Sequence, residues 1–432
     1  MKNTFRIFFA YILLEHFILK HTTMKKQVTV ILLFFCFSLK AQFTSIPDAN
    51  FEQKLMSLGY DNVINGQVLT SIVSQVNSLN LSNSNISNLT GIQDFTMLST
   101  LNCSNNPLVN VNLSQNTNLT ILSVGGNAFT GLSNFSLTQS LINLYLTEIN
   151  SNNLLLNLSN TNIKYLYLDN INSNSLIITN GSNLQTISSY IWDSNISINS
   201  LSLQGLPNLT TIDFNQYLNP TSYISNISMD NSVSSNLQFL KVANLNLANI
   251  SPSFSQIPNL QNLFIDKCLF SSIDLSMNNQ LNGLSIVNSP IINSIKACSS
   301  FIDSVNVSNC PNLSCVSLKG FLPGINSYFS LWAINAPNLD CIEVQDGDYF
   351  SLLFPTNFPT NRINLDPQVN YNTNCNNACS FSCSTSEIPE YVIEKTIMKI
   401  IDILGREAKY KTNEILFYLY NDGSTEKFFV LE

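Results

Sequence analysis

Between residues 76 and 345 one hydrophobic frame recurs, L-x-x-L-x-L, with Ile, Val, Phe or Cys admitted at the Leu positions. It reads LSTLNCSNN at 98–106, LTILSVGGN at 119–127, LINLYLTEI at 141–149, IKYLYLDNI at 163–171, LTTIDFNQY at 209–217 and LQFLKVANL at 237–245. It continues as LQNLFIDKC at 260–268, LNGLSIVNS at 281–289, IDSVNVSNC at 302–310 and LDCIEVQDG at 339–347. VNSLNLSN at 76–83 supplies a first copy, and Leu184 and Leu313 open degenerate ones. Most starts fall 21–23 residues apart. The L-x-L core of each copy puts two side chains inward on a short strand and the residue between them outward. One strand per repeat, stacked at about 4.8 Å, predicts a β-rich solenoid with a parallel sheet along its concave face. So short a repeat leaves no room for a full outer helix, and second halves such as LVNVNLSQN (108–116) look extended. Strand plus extended or 3₁₀ turns is the expectation. The longer intervals between 184 and 236 predict irregular turns with bulging loops there.

The frame and its period resemble the leucine-rich repeat family. In that family an Asn at the ninth position bonds open backbone groups at the bend. Asn106 and Asn127 fit, and Cys268 and Cys310 are accepted substitutes. Terminal repeats cannot expose their core, so both ends need caps. Pro47-Asp48 opens a predicted helix with Asp48 as N-cap, apolar Phe51, Leu55 and Leu58 on one face, and Gly59 at its end. The segment IPDANFEQKLMSLGYDNVINGQV resembles the N-terminal cap of secreted bacterial leucine-rich repeat proteins. The same resemblance implies a disulfide between Cys341 in the last strand and Cys375. Cys379 and Cys383 can pair with each other or with Cys298 or Cys315, and Cys103, at an inward position, reads as a free core thiol.

The two ends carry different signals. Residues 24–41, MKKQVTVILLFFCFSLKA, combine Lys25 and Lys26 with a 12-residue, mostly apolar stretch and a small Ala41. This is the plan of a secretory signal peptide, too short for a membrane span, with cleavage expected before Gln42. Residues 1–23 then read as an upstream extension, with Met24 the start. After Ser386 the Asn and Ser content falls while Lys and Glu rise. IMKIIDI and ILFYLY alternate like strands, and Asn421-Asp422-Gly423 predicts a hairpin turn. With Ile401-Asp402-Ile403-Leu404-Gly405-Arg406, this small β module resembles the C-terminal sorting modules of type IX secretion substrates. The predicted organisation is therefore 1–41 extension and signal peptide, 42–75 N-terminal cap, 76–345 solenoid, 346–386 C-terminal cap and Cys-rich linker, and 387–432 sorting module. The partner implied for 387–432 is the type IX secretion machinery.

Composition narrows the function. Only 11% of the 432 residues are charged, while 64 Asn and 56 Ser fill the polar positions. Removing 1–41 takes away six basic and one acidic residue and leaves a net charge of −13, which disfavours nucleic acid and anionic lipid. Beyond the signal no run reaches 18 apolar residues, so no stable transmembrane span is expected in the mature chain. Both histidines, His16 and His21, lie in the leader, which excludes Ser-His-Asp and Cys-His catalysis and His-ligated metal from the mature chain. No hydrolase, Walker or dinucleotide motif is present, so no enzyme, cofactor or metal is expected. Glu343, Asp346 and Asp348 could hold Ca²⁺ but read better as a solvated turn.

The candidate ligand-binding residues are those at outward positions of the concave strands: Tyr145, Tyr165, Tyr167, Asp169, Tyr190, Asp213, Phe239, Lys241, Phe264 and Asp266. Aromatic rings on a rigid Ser/Asn-rich surface suit the anchoring of a protein or glycan ligand, although stacked rings also stabilise a parallel sheet. The family resemblance implies an exported cell-surface protein serving adhesion. The alternative is a structural surface or matrix component that binds nothing.

Overall fold

The period-2 alternation in each repeat yields short strands that pair in parallel, one repeat to the next. In the computed structural model the described residues are 42–127, 135–189, 194–214, 222–243, 250–251, 253–321, 329–353, 362–375, 397–402, 406–408, 415–420 and 425–429. The leader, Tyr190, Cys379 and Cys383 lie outside them, as do Ile403-Leu404-Gly405 and the 421–423 turn. Contacts divide the chain into two compact units, 1–380 and 381–432.

The first unit is a solenoid of parallel strands built on the L-x-x-L-x-L repeats. Its concave sheet begins with strands Ser78–Asn80, Thr100–Asn102 and Ile121–Ser123. It passes through the first segments of Asn143–Asn150 and Tyr165–Thr179, then Thr186–Ser188, Thr211–Asp213, Phe239–Ala243 and Asn262–Asp266. Gly283–Val287, Ser304–Asn306, Ser330–Ala333 and Ile363–Leu365 complete it. The inward Leu, Ile and Val side chains form one continuous core, with Leu101, Leu144, Leu166, Leu240 and Leu263 all at 0% exposure. Each such side chain contributes roughly 1.5–3 kcal/mol on burial.

The second halves of the repeats are more regular than expected. Ser272–Leu275, Ser294–Ala297, Cys315–Ser317, Cys341–Glu343 and Asn370–Asn372 form a second, five-stranded parallel sheet. LDCIEV at 339–344 therefore belongs to this outer sheet. The concave strand of that repeat is Ser330–Ala333, because Phe329, Leu331 and Ala333 carry the inward alternation. Leu313 likewise leads into an outer strand, while Leu184 does lead into a concave one. In the long 184–236 repeats Ile196–Gln204 pairs with Tyr165–Thr179 on one side and with Tyr223–Ile224 and Ile227–Met229 on the other. The extra residues build further strand faces, and within 184–236, where bulging loops are expected, residues 190–193 and 215–221 lie outside the described residues.

The Asn richness has a structural cause. Among described non-Gly residues with positive φ, nine of eleven are Asn, from Asn83 and Asn105 to Asn309 and Asn335. Asn tolerates the left-handed conformation that the solenoid corners require. Other Asn side chains satisfy the backbone inside the bends. Asn106 accepts from the N–H groups of Ser84 and Ile86 and donates to the carbonyls of Leu81, Cys103 and Ser104. Asn127 bonds the backbone of the next bend in the same way. Asn116 and Asn278, in the second halves, do so for the outer turns, a role the repeat frame does not reveal.

The caps follow the chemistry of their sequences. The helix Ala49–Ser57 starts at Asp48, whose carboxylate accepts from the N–H groups of Asn50 and Phe51, and Phe51 and Leu55 are buried. Leu58 is the C-cap and is 40% exposed, because the helix stops one residue short of the third apolar position. The other Asp48 oxygen accepts from the Ser87 hydroxyl and the N–H groups of Ser87 and Asn88, tying the cap to the first repeat. Burial pushes the Asp48 carboxyl up, but these hydrogen bonds outweigh it and hold it below the usual carboxylate range. At the other end Cys341 and Cys375 are joined, with Cα atoms 5.8 Å apart. Cys298 and Cys315 are also disulfide-bonded. Cys103 is a free buried thiol, pushed up to about 12 by burial. Glu343 corrects the solvated-turn reading: it is 1% exposed and accepts from Lys319 at 2.8 Å.

The second unit contains three antiparallel strands, Ile397–Asp402, Ile415–Tyr420 and Thr425–Phe429, with Leu416 and Tyr418 buried.

Candidate ligand-binding face

Register decides which side chains meet on the concave sheet. The central outward positions align from strand to strand as Asn80, Asn102, Ser123, Tyr145, Tyr167 and Ser188. They continue as Asp213, Lys241, Phe264, Ser285, Asn306, Trp332 and Asn364. The ladder is polar at its start and aromatic or charged through its middle.

Tyr145 and Tyr167 are direct neighbours, and their rings stack with centroids 4.3 Å apart and planes 10° from parallel. Tyr165 lies two residues before Tyr167 on the same strand, opposite Asn143 and Thr186, and is half-buried. Farther along, Phe239 and Phe264 approach with centroids 5.4 Å apart and planes tilted by 41°. Between the two aromatic groups, Lys241 and Asp213 sit opposite each other with a nitrogen–oxygen distance of 4.0 Å. Burial pushes the Asp213 carboxyl up, and the Lys241 charge opposes but does not cancel this. Asp266 accepts from the Asn288 amide at 2.7 Å, the start of a side-chain chain through Asn309 to Asn335.

One candidate is corrected. Asp169 has outward parity but is only 1% exposed, so it offers no open surface to a ligand. It precedes the left-handed corner at Asn170, whose N–H is bound by the fully buried Ser194 of the next turn. Trp332, half-buried on the same ladder, joins the candidates from the structure alone, because the L-x-x-L-x-L frame falls on the outer strand of its repeat. The alternation Phe329, Leu331, Ala333 is the signal that locates it.

Near the C-terminal ends of the strands Phe239–Ala243 and Asn262–Asp266 the face opens into a cavity of about 110 Å³. It is lined by Phe214, Lys241, Val242, Ala243, Phe264, Ile265, Asp266, Ser285, Val287 and Asn306. Hollows of about 260 and 320 Å³ elsewhere, around Asn88–Gln115 and Ser253–Met277, lack this combination of outward ring and both charge signs. Among the described residues no group of three or more His, Cys, Asp or Glu is placed to share a metal ion. No described helix is long and apolar enough to cross a membrane.

No protein-family model matches the chain, and no curated protein matches it. Solved structures do. An internalin (inlF) from Listeria monocytogenes is 17% identical over 71% of this chain and 98% of its own, with a TM-score of 0.37. The functional domain of InlJ from the same organism, which includes a cysteine ladder, is 17% identical over 90% of this chain and 99% of its own, with a TM-score of 0.35. Internalin C2, also from L. monocytogenes, is 21% identical over 51% of this chain and 96% of its own, with a TM-score of 0.34.

Proposed function

We propose that this chain is an exported, cell-surface leucine-rich repeat protein that binds a protein or glycan ligand through its concave face, in adhesion, without catalysing a reaction. The observation that carries the reading is the outward ladder. Tyr145, Tyr167, Lys241 and Phe264 fill none of the core beneath them, yet they occupy consecutive or near-consecutive rungs of a rigid sheet. Half-buried aromatic rings on such a scaffold are low-entropy contact groups, the type that dominates binding energy in interfaces. Disulfide-bonded Cys341, Cys375, Cys298 and Cys315 support residence in an oxidising compartment. In this reading 1–41 directs export, and 387–432 engages the type IX secretion machinery.

The second reading, a structural surface component, is favoured by the Tyr145–Tyr167 stack, since rings that pack on each other stabilise the sheet without a ligand. Surface plasmon resonance of the mature protein against matrix proteins and glycans separates the two. Saturable binding that is lost on Tyr165→Ser/Tyr167→Ser supports the first, and absence of binding to every immobilised probe supports the second. Deleting 387–432 tests the address: the truncated protein is expected to fold and remain in the periplasm, and normal surface display would make the tail merely structural.

A further inference from the structure

Resting on the concave-face reading, we infer that the cavity beside Phe264 receives a basic side chain, arginine or lysine, from a protein ligand. At about 110 Å³ it is well below the several hundred Å³ of pockets that enclose whole small molecules, and it matches a single inserted side chain. Its floor and walls are apolar where Val242, Ala243, Ile265 and Val287 line it, which suits an aliphatic stem. Phe264 offers a ring to a cationic head.

Charge selects the sign of that head. Among the described residues, Lys241 and Asp266 are the charged side chains lining the cavity. Lys241 already faces Asp213 on the adjacent strand. Asp266 lies directly opposite Ala243 and Val287 in the sheet, with Lys241 diagonal to it on the adjacent strand, and it accepts a hydrogen bond from the neutral amide of Asn288. Asp213, Lys241 and Asp266 together sum to one negative charge. A glutamate or aspartate guest would meet Asp266 as a like charge. A planar guanidinium can bond the second oxygen of the Asp266 carboxylate while lying against Phe264.

The test titrates three small probes, Nα-acetyl-arginine methylamide, its neutral isostere Nα-acetyl-citrulline methylamide, and Nα-acetyl-glutamate methylamide. Each is followed by ligand-detected NMR on the mature protein. The arginine probe is expected to bind at least tenfold more tightly than the other two. Asp266→Asn, which keeps the shape and the Asn288 contact, should abolish that preference at unchanged thermal midpoint. Tyr165→Ser/Tyr167→Ser should leave the preference intact, which separates this inference from the broader one. Equal binding of arginine and citrulline, a preference for glutamate, or an Asp266→Asn protein that still prefers arginine would each overturn the assignment. If the arginine preference is absent while adhesion still depends on the Tyr pair, only this inference fails.

Discussion

The two faces of the concave sheet obey different rules. The inward ladder through Leu79, Leu101, Leu122, Leu144, Leu166, Ile187, Ile212, Leu240, Leu263 and Leu284 is chemically monotonous and almost wholly buried. The outward ladder, one residue away on the same strands, passes from Asn and Ser to Tyr, to an Asp–Lys pair, to Phe and to Trp. Each inward side chain meets the same surroundings one strand spacing on, so packing selects the same residue again. The outward positions share that backbone but not that constraint. Their variety has no origin in the core, and under the proposed binding role it answers to contacts beyond the fold.

The largest expected effect is on the inward side. Leu166→Ala should cost about 2–5 kcal/mol, because it leaves a cavity in a core that cannot collapse around it. The urea midpoint reads this, and a shift near zero would mean that the inward ladder is not what holds the sheet.

Asn106→Ala comes next. It strips hydrogen bonds from five backbone groups in the bend, so it should destabilise the N-terminal repeats by roughly 1–3 kcal/mol. Hydrogen exchange should show the loss concentrated near residues 81–106.

A smaller change is expected on the outer face. Tyr167→Ser removes the stack with Tyr145, worth about 0.5–1.5 kcal/mol beyond area burial. A cost as large as that of Leu166→Ala would make the ring a core group and erase the distinction between the faces.

The smallest effect has a sign that depends on pH. Asp213 has its carboxyl raised by burial, so its contribution to stability is complete below the unfolded value of about 3.9 and is lost as pH rises through the folded value. Asp213→Asn should therefore change stability by no more than about 0.5 kcal/mol near neutrality, in the favourable direction, and by less still in acid. Melting at two pH values checks this, and a large loss at neutral pH would show that the Lys241 pair outweighs burial.

Much of this is legible in the chain. The repeat period, the inward positions and the Asp48 cap follow from local rules, in which a residue's role is fixed by its own repeat, while the bend role of Asn106 and Asn127 and the Cys341–Cys375 pair come from the family resemblance. Three things are not legible, for one shared reason. The outer strand LDCIEV has the same apolar spacing as a concave strand, so spacing alone cannot say which sheet it joins. That ambiguity hides Trp332 and makes Glu343 look solvated. Asp169 has the parity of an outward residue, and only the folded repeats show it buried. The cavity at Phe264 draws on side chains from several strands, including the inward Phe214 and Ile265, and no single repeat encodes it.

The most direct test of the concave binding face is the paired measurement of fold and adhesion for Tyr165→Ser/Tyr167→Ser. Circular dichroism should show the solenoid retained, with no more than the modest loss of the ring stack. Binding to the matrix protein or glycan recognised by the wild type should fall by tenfold or more in surface plasmon resonance. A folded double variant that binds as tightly as the wild type would contradict the assignment of ligand binding to this face.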